Sequence, residues 1–130
     1  MKSYTDLEQS KKLAKILPIE SADMAYYFWK KSGNIVIPYP FILDGKEVKV
    51  NGAFTYLNCW SLAALLKILA KIASKIDDDG SANLSSFMGK WSVNMFDCPV
   101  KVTDNYDNPI DACYEMIIKL HELNLLQLWK

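Results

Sequence analysis

The spacing of hydrophobic and polar positions predicts two helices near the start of the chain. Thr5 followed by Glu8 fits a capping box, in which the two side chains accept backbone N–H groups at the start of a helix. The apolar positions that follow predict a first helix from about residue 6 to residue 17, which ends before a proline because proline cannot continue a helix. Ser21 is a good N-cap for a second, shorter helix through residues 22–31.

The pattern then changes to β-strands joined by tight turns. Residues 34–43 are rich in β-forming side chains but contain two prolines, which predicts an edge strand or a bulged strand because proline cannot donate a ladder hydrogen bond. Asp44-Gly45 and Asn51-Gly52 are strong signals for two-residue hairpin turns. The simplest interpretation is a three-stranded antiparallel meander.

Residues 58–80 contain the clearest helical pattern in the chain. Ser61 is the natural N-cap, and Trp60 before it can pack on Leu65 as a hydrophobic staple. Leucines and isoleucines recur on one face, and three lysines occupy the opposite face: Lys67, Lys71 and Lys75. A row of ammonium groups could hold an anion. However, the strict opposition of lysines and leucines is typical of the solvent side of an amphipathic helix, and we adopt that interpretation.

The remainder of the chain predicts a second β region and a C-terminal helix. The β region covers roughly residues 83–103, with breaks near Gly89 and Pro99. Asn108 is suited to the N-cap of a helix that has only a narrow polar stripe, so we expect this helix to be buried on most sides. Asn124 is suited to a left-handed helix stop, and the apolar tail after it should pack within the chain or on a partner.

These elements predict a single α+β domain over residues 1–130. Its helices pack on antiparallel sheet in the order α-α-β-β-β-α-β-β-α. A chain of 130 residues can bury an adequate core. The hydrophobic share of 51%, with four Trp, seven Tyr and five Phe, is that of a globular protein and far from a disordered one.

Charge and cysteine content narrow the function classes. Lys plus Arg number 15 and Asp plus Glu number 15, so no overall field attracts nucleic acid or an anionic membrane. The charged, periodic N-terminal stretch predicts no secretory signal, and the longest apolar run is too short to span a bilayer. The widely spaced cysteines are expected to be reduced thiols: Cys59, Cys98 and Cys113. We therefore predict a cytoplasmic protein that binds neither nucleic acid nor membrane.

Motifs for catalysis, cofactors and metals do not occur in the sequence. It has no P-loop and no GxGxxG, GxSxG or HExxH pattern. The acidic run at residues 77–80 resembles the start of a calcium loop, but Ala82 and Met88 stand where an EF-hand needs glycine and glutamate. We therefore predict no catalytic residue, no cofactor and no metal.

The single histidine, His121, is a candidate for a nucleophilic pair with a cysteine. A helix that contains both His121 and Cys113 separates them by about 12 Å along its axis, which is too far for a hydrogen bond. Pairing of His121 with Cys59 or Cys98 stays open. Its place at the edge of an apolar arc is typical of a structural histidine.

Aromatic side chains in residues 22–31 are the remaining candidates for function. If this segment is helical, one face carries three of its residues: Met24, Tyr27 and Phe28. Tyr26 and Trp29 then point the other way, and Tyr and Trp outside a core are favoured anchors in protein interfaces. Packing of these aromatics under the first helix or the meander is the competing interpretation. We predict Tyr26 and Trp29 as binding residues.

Three blocks of sequence carry a resemblance: "YTDLEQSKKLAKILPIESADM", "CWSLAALL" and "DACYEMIIKLHELNLL". They resemble small proteins without assigned activity that are encoded by gut Bacteroides-type bacteria and their phages or prophages. The blocks cover a little over a third of the chain. The resemblance implies a bacterial or phage intracellular setting and transfers no functional residue.

Two function classes follow from the sequence. The first is a non-enzymatic protein-binding or adaptor domain whose partner is another protein, with homo-oligomerisation through the apolar C-terminal tail as an additional mode. The alternative is a small-molecule-binding domain or an enzyme with no recognisable motif. A pocket that converges on His121 or Cys59 would indicate the alternative.

Overall fold

The computed structural model of the chain describes residues 2–32, 35–40, 54–96 and 105–129. Within these residues it contains α-helices, β-strands and two short 3₁₀ helices, in the order α1 (Leu7–Ile16), a 3₁₀ helix (Ile19–Ser21), β1 (Met24–Trp29), β2 (Ile35–Pro40), β3 (Phe54–Cys59), α2 (Leu62–Ile76), β4 (Ser81–Phe87), β5 (Lys90–Phe96), α3 (Pro109–Glu122) and a second 3₁₀ helix (Leu126–Trp129).

The α+β fold class and the antiparallel sheets are confirmed. The order of elements matches the predicted one, with the 3₁₀ helix Ile19–Ser21 in the place of the second helix. The chain divides into two compact units, an N-terminal unit of residues 4–64 and a C-terminal unit of residues 1–3 and 65–130. That the whole chain is one domain stays a prediction.

The N-terminal unit is built on a three-stranded sheet of order β2-β1-β3. β1 pairs antiparallel with both neighbours, and the β1–β2 register shifts between Tyr26 and Phe28. The strand with two prolines is present as β2, which pairs with β1 alone among the described residues and whose register with β1 is irregular, as an edge or bulged strand requires. The middle strand of the predicted meander, residues 46–50, lies outside the described residues, so the meander stays a prediction. The predicted turns at Asp44-Gly45 and Asn51-Gly52 lie outside the described residues.

The predicted helix over residues 22–31 is wrong, because β1 occupies this segment. Ser21 ends the 3₁₀ helix, where its hydroxyl donates to the Pro18 carbonyl at 2.6 Å, and it does not cap an α-helix. The sequence MAYYFW is aromatic-rich, and aromatic side chains favour a pleated, half-buried surface. The segment therefore forms a strand even though Ser21 before it is a good helix N-cap.

The N-cap of the first helix is Asp6, one residue later than the predicted cap Thr5. Asp6 accepts the Gln9 N–H at 2.8 Å, and the Gln9 side chain accepts the Asp6 N–H at 3.1 Å, so the capping box is formed by this pair. The Thr5 side chain is buried and does not cap this helix. α1 places Leu13 and Leu17 in the core of the N-terminal unit.

The long amphipathic helix α2 is confirmed, with Ser61 as its N-cap. The Ala64 N–H donates to Ser61 Oγ at 3.2 Å. The buried face is apolar: Ala64, Leu65, Ile68, Leu69, Ile72 and Ala73. All three lysines of the row are exposed, as the solvent interpretation predicts.

The C-terminal unit contains the antiparallel hairpin β4–β5 and helix α3, whose buried face packs beside β5. The predicted cap is confirmed, because Asn108 Oδ1 accepts the Asp111 N–H at 2.9 Å with proline at the next position. Asn124 has the predicted left-handed conformation, with φ of 58°. The Leu125 N–H then donates to the Leu120 carbonyl at 2.9 Å, as in a Schellman cap.

The apolar tail packs within the chain. Leu126 is buried, and Lys71 Nζ lies 4.6 Å from the ring centroid of Trp129. One lysine of the exposed row therefore contacts an aromatic ring of the tail and does not need a ligand to account for its position.

Candidate functional site

Tyr26, one of the two predicted binding residues, is buried in the N-terminal unit. Its hydroxyl donates to the Thr5 carbonyl at 2.8 Å, and its ring meets the Tyr4 ring edge-to-face at 6.0 Å. Burial, followed by the neighbouring Cys59, raises the pKa of Tyr26 well above its usual value. The side chain thus holds β1 to the N-terminal segment, and little of its surface is accessible to a partner.

Trp29, the other predicted residue, lies at the end of β1 and is 46% exposed. Successive side chains of a strand point to opposite faces, so Trp29 shares a face with Tyr27 and not with Tyr26. Two exposed lysines follow it, Lys30 and Lys31. The structure therefore separates the predicted pair, with one residue in the core and the other accessible.

The most exposed apolar surface among the described residues is the tip of the β4–β5 hairpin. Phe87 is 79% exposed and Met88 is 86% exposed. Phe87 is the last residue of β4, and Met88 is the first residue of the two-residue turn, in which Met88 and Gly89 have φ of 52° and 77°. Positive φ at both central positions is the signature of a type I′ turn, whose twist matches that of the strands. The hairpin tip, defined here as Phe87 and Met88, was not among the predicted site residues.

A signal for the hairpin tip was present in the sequence. The sequence predicts a break near Gly89, and the strands on either side of it pair residue by residue from Phe87↔Lys90 to Ser81↔Phe96. That register places Met88 with Gly89 in the turn. Phe87 and Met88 stand at the end of a strand whose other residues, apart from Leu84, are small or polar.

The conformation of Met88 is locally unfavourable. A left-handed backbone costs a non-glycine residue about 1–2 kcal/mol, and Asn, Asp or Gly is preferred at this position of a type I′ turn. The turn therefore carries an apolar side chain where a polar one would be more stable. A locally strained, exposed methionine is an observation from which a binding role can be argued.

A network of polar side chains fastens the N-terminal segment to the start of α2. Asp23 accepts both the Ser61 N–H, at 2.9 Å, and the Ser61 hydroxyl. Since Ser61 Oγ itself accepts the Ala64 N–H, the carboxylate orients the hydroxyl that caps α2. No histidine takes part, because the chain's one histidine, His121, lies exposed in the last turn of α3. This serine and this carboxylate therefore make a helix cap.

Thr5 and Trp60 continue this network within the N-terminal unit. The Thr5 N–H donates to the Trp60 carbonyl at 2.9 Å, and the Trp60 N–H donates back to Thr5 Oγ1 at 3.1 Å. The indole Nε1–H of Trp60 donates to Ser21 Oγ at 2.9 Å. Each of these polar groups is buried and satisfied, which is the pattern of a structural network.

The two described cysteines are buried thiols. Burial raises the pKa of Cys113 from its usual 9.0 to about 12. Burial, with a smaller effect of the Asp23 charge, does the same for Cys59. Neither is a thiolate at neutral pH, so neither is an activated nucleophile. Cys98 lies outside the described residues.

We expect these thiols to be unreactive in the folded protein. In a Cys98→Ser background at pH 8, Ellman's reagent should modify neither Cys59 nor Cys113 until denaturant is added, when both react. The folded state holds the proton of each thiol more tightly than the unfolded state does. The stability that this difference contributes is present below about pH 9 and is lost as pH rises towards 12. Rapid modification of either thiol in the native protein would contradict the assignment.

Neither metal sites nor membrane-spanning helices are found in the described part of the chain. Residues 2–32, 35–40, 54–96 and 105–129 hold no group of three His, Cys, Asp or Glu side chains that could bind a metal ion. No helix among them is both long enough and apolar enough to cross a membrane.

Comparison with known proteins adds no functional information. No protein-family model, curated protein or solved structure matches this chain.

Proposed function

We propose that this protein is a non-enzymatic protein-binding domain that inserts its hairpin tip into an apolar cleft of another protein. The observation that carries the proposal is the exposure of Phe87 and Met88, two large apolar residues that are consecutive in the sequence at the end of the hairpin. Aromatic residues and methionine are enriched in the buried centre of protein interfaces. Isolated exposed apolar residues are common on surfaces, but two consecutive ones at a hairpin turn form a suitable anchor.

The hairpin holds its tip in place before binding. β4 and β5 pair along their whole length. On the far side of β5, Trp91 and Tyr106 exchange backbone hydrogen bonds at 2.7 Å and 2.8 Å, and Lys90 at the base of the turn forms an ion pair with Asp107. A tip fixed in this way loses little conformational entropy on association, which favours affinity.

The surroundings of the tip indicate the chemistry of the partner. β4 contains no charged residue, and its exposed side chains are mainly serine and asparagine. A complementary partner offers an apolar pocket for Phe87 and Met88 with a rim of neutral hydrogen-bonding groups. Binding of this kind depends little on salt concentration.

Trp29 is the second contact that we propose. It is accessible, and Tyr26 supports it indirectly by fixing β1. Trp29 belongs to the N-terminal unit and the hairpin tip to the C-terminal unit, so we propose two separate contacts.

The proposed setting is the cytoplasm of a bacterium, as the resemblance to Bacteroides and phage proteins implies. Cys59 and Cys113 are buried and unpaired, as is usual in a reducing compartment.

Replacing Met88 with asparagine should increase stability and weaken binding at the same time. Asn tolerates the left-handed backbone, so the free energy of unfolding is expected to rise by about 0.5–1 kcal/mol. Loss of an anchor at the centre of an interface should weaken partner binding by roughly tenfold or more. Urea unfolding measures the first effect, and affinity capture from the native host, quantified by mass spectrometry, measures the second.

Two matched variants make the experiment specific. Met88→Leu keeps an apolar side chain in the same strained turn and should retain the captured protein. Leu123→Ser removes an apolar residue that is 46% exposed on a different element and should also retain it. The proposal is wrong if Phe87→Ser/Met88→Asn captures the same protein as the wild type, or if Leu123→Ser loses it to the same extent.

A further inference from the structure

β4 is an edge strand that lacks the features by which proteins block edge-to-edge pairing. Among the described residues its only strand partner is β5. Its sequence, SANLSSF, contains no proline and no charged residue, and its pairing with β5 has no bulge. Lysine, proline and bulges are the usual means of protecting an edge, so within the part of the chain that the structure describes β4 offers an edge to a further strand.

The hairpin geometry determines which backbone groups of β4 point outward. In a two-residue hairpin the residues that flank the turn, here Phe87 and Lys90, form a hydrogen-bonded pair. Hydrogen-bonded residues alternate along an antiparallel strand. The N–H and C=O groups of the alternate residues therefore point away from β5: Ala82, Leu84 and Ser86.

We propose that this edge pairs with β4 of a second copy of the chain, antiparallel and centred on Leu84. In this register Leu84 lies opposite the second copy's Leu84, and Ala82 lies opposite the second copy's Ser86. Every outward-pointing residue then faces an outward-pointing residue, and each such pair exchanges two backbone hydrogen bonds. A register centred on Asn83 or Ser85 leaves part of this set unpaired. The result is a continuous four-stranded sheet with twofold symmetry.

The side chains of β4 suit this register on both faces. On one face the two copies of Leu84 lie against each other, and leucine there is only half-buried in the single chain. On the other face Asn83 lies opposite the second copy's Ser85, so polar side chains that can hydrogen-bond are adjacent. Phe87 lies opposite the second copy's Ser81, which covers part of its exposed ring. No like charges meet at any position.

The occupant is a second copy and not an unrelated peptide because the strand is complementary to itself. A strand that recognises other peptides gains specificity from pockets or charges beside the edge. β4 offers neutral side chains that are mostly small, and in the antiparallel register leucine faces leucine and no charges oppose each other.

Charge-reversal variants at exposed positions test the dimer and its register together. Asn83→Lys/Ser85→Lys places lysines opposite lysines across the proposed contact, and Asn83→Glu/Ser85→Glu places glutamates opposite glutamates. Asn83 and Ser85 are exposed, so the folded monomer should be retained, which urea unfolding checks. Sedimentation equilibrium at low salt, from micromolar to millimolar protein, measures association.

We expect the wild type to dimerise and each like-charge variant to dimerise roughly tenfold more weakly or worse. An equal mixture of the two variants should dimerise again, because lysine then faces glutamate. A wild type that stays monomeric at millimolar concentration overturns the proposal, as do like-charge variants that dimerise as tightly as the wild type.

This inference does not depend on the proposed function of the hairpin tip. Met88 lies beyond the paired residues, so Met88→Asn should leave the dimer dissociation constant unchanged within about twofold. Loss of partner capture with an intact dimer, or the reverse, therefore separates the two proposals.

Discussion

Replacing Trp60 with alanine should lower the free energy of unfolding by about 3–5 kcal/mol, the largest effect expected of any single substitution discussed. Trp60, the residue that follows β3 in the sequence, is fully buried, and its removal leaves a cavity in the N-terminal unit. The loss also leaves Ser21 Oγ without the indole donor at 2.9 Å. Urea unfolding followed by far-ultraviolet circular dichroism measures the change.

Trp60→Phe is the matched control for this substitution. Phenylalanine keeps most of the apolar volume but cannot donate to Ser21, so the expected loss is about 1–2 kcal/mol. The backbone bonds between Trp60 and Thr5 remain in both variants. A loss below about 1 kcal/mol for Trp60→Ala would show that this residue is not a centre of the core.

Replacing Gly80 with alanine should destabilise the protein by about 2–3 kcal/mol or more. A Cβ at this position would lie 2.2 Å from the Ala73 carbonyl oxygen and 2.8 Å from that of Asp77. Both atoms belong to the backbone at the end of α2, so relief of the clash requires the helix terminus or the turn before β4 to move. The Gly80 N–H also donates to the Asp77 carbonyl at 2.8 Å, which fixes the turn.

Gly89→Asn is the control for this second prediction. No atom lies within 4 Å of a Cβ built on Gly89, and Asn tolerates its φ of 77°. We expect Gly89→Asn to change the unfolding free energy by less than about 1 kcal/mol. If Gly80→Ala proves as mild as Gly89→Asn, the close approach at the end of α2 is incorrect.

The helices were predictable because their signals are local. The caps at Ser61 and Asn108 and the stop at Asn124 each involve residues a few positions apart, and the structure confirms all three. In α2 the alternation of apolar and lysine faces is regular enough to indicate which side is buried.

β1 was not predictable in the same way. Met24, Ala25 and Tyr26 are all buried in succession, so the strand lacks the alternation by which a half-exposed strand is recognised. The position of β1 in the centre of the sheet depends on pairing with residues far along the chain. The predicted exposure of Tyr26 depends on a helix over residues 22–31, so it is wrong together with that helix.

The hairpin tip and the polar network depend on information that local pattern does not contain. Asp23 and Ser61 meet across 38 positions of sequence, and nothing near either residue indicates the other. The exposure of Phe87 and Met88 follows from the exact register of β4 on β5, since a shift of one residue would exchange the faces of the strand.

Photocrosslinking from the hairpin tip is the most direct test of the central claim. A benzophenone amino acid in place of Phe87 keeps an aromatic side chain at the turn, and the same probe at Ser92 or Leu123 provides the comparison. From position 87 we predict a covalent adduct with one other protein of the host, in addition to any adduct with a second copy of the chain across the proposed β4 contact. From the two control positions we predict no adduct with that other protein. Equal adducts from all three positions, or an adduct from position 87 with a second copy of the chain alone, would contradict the proposal that the tip binds another protein.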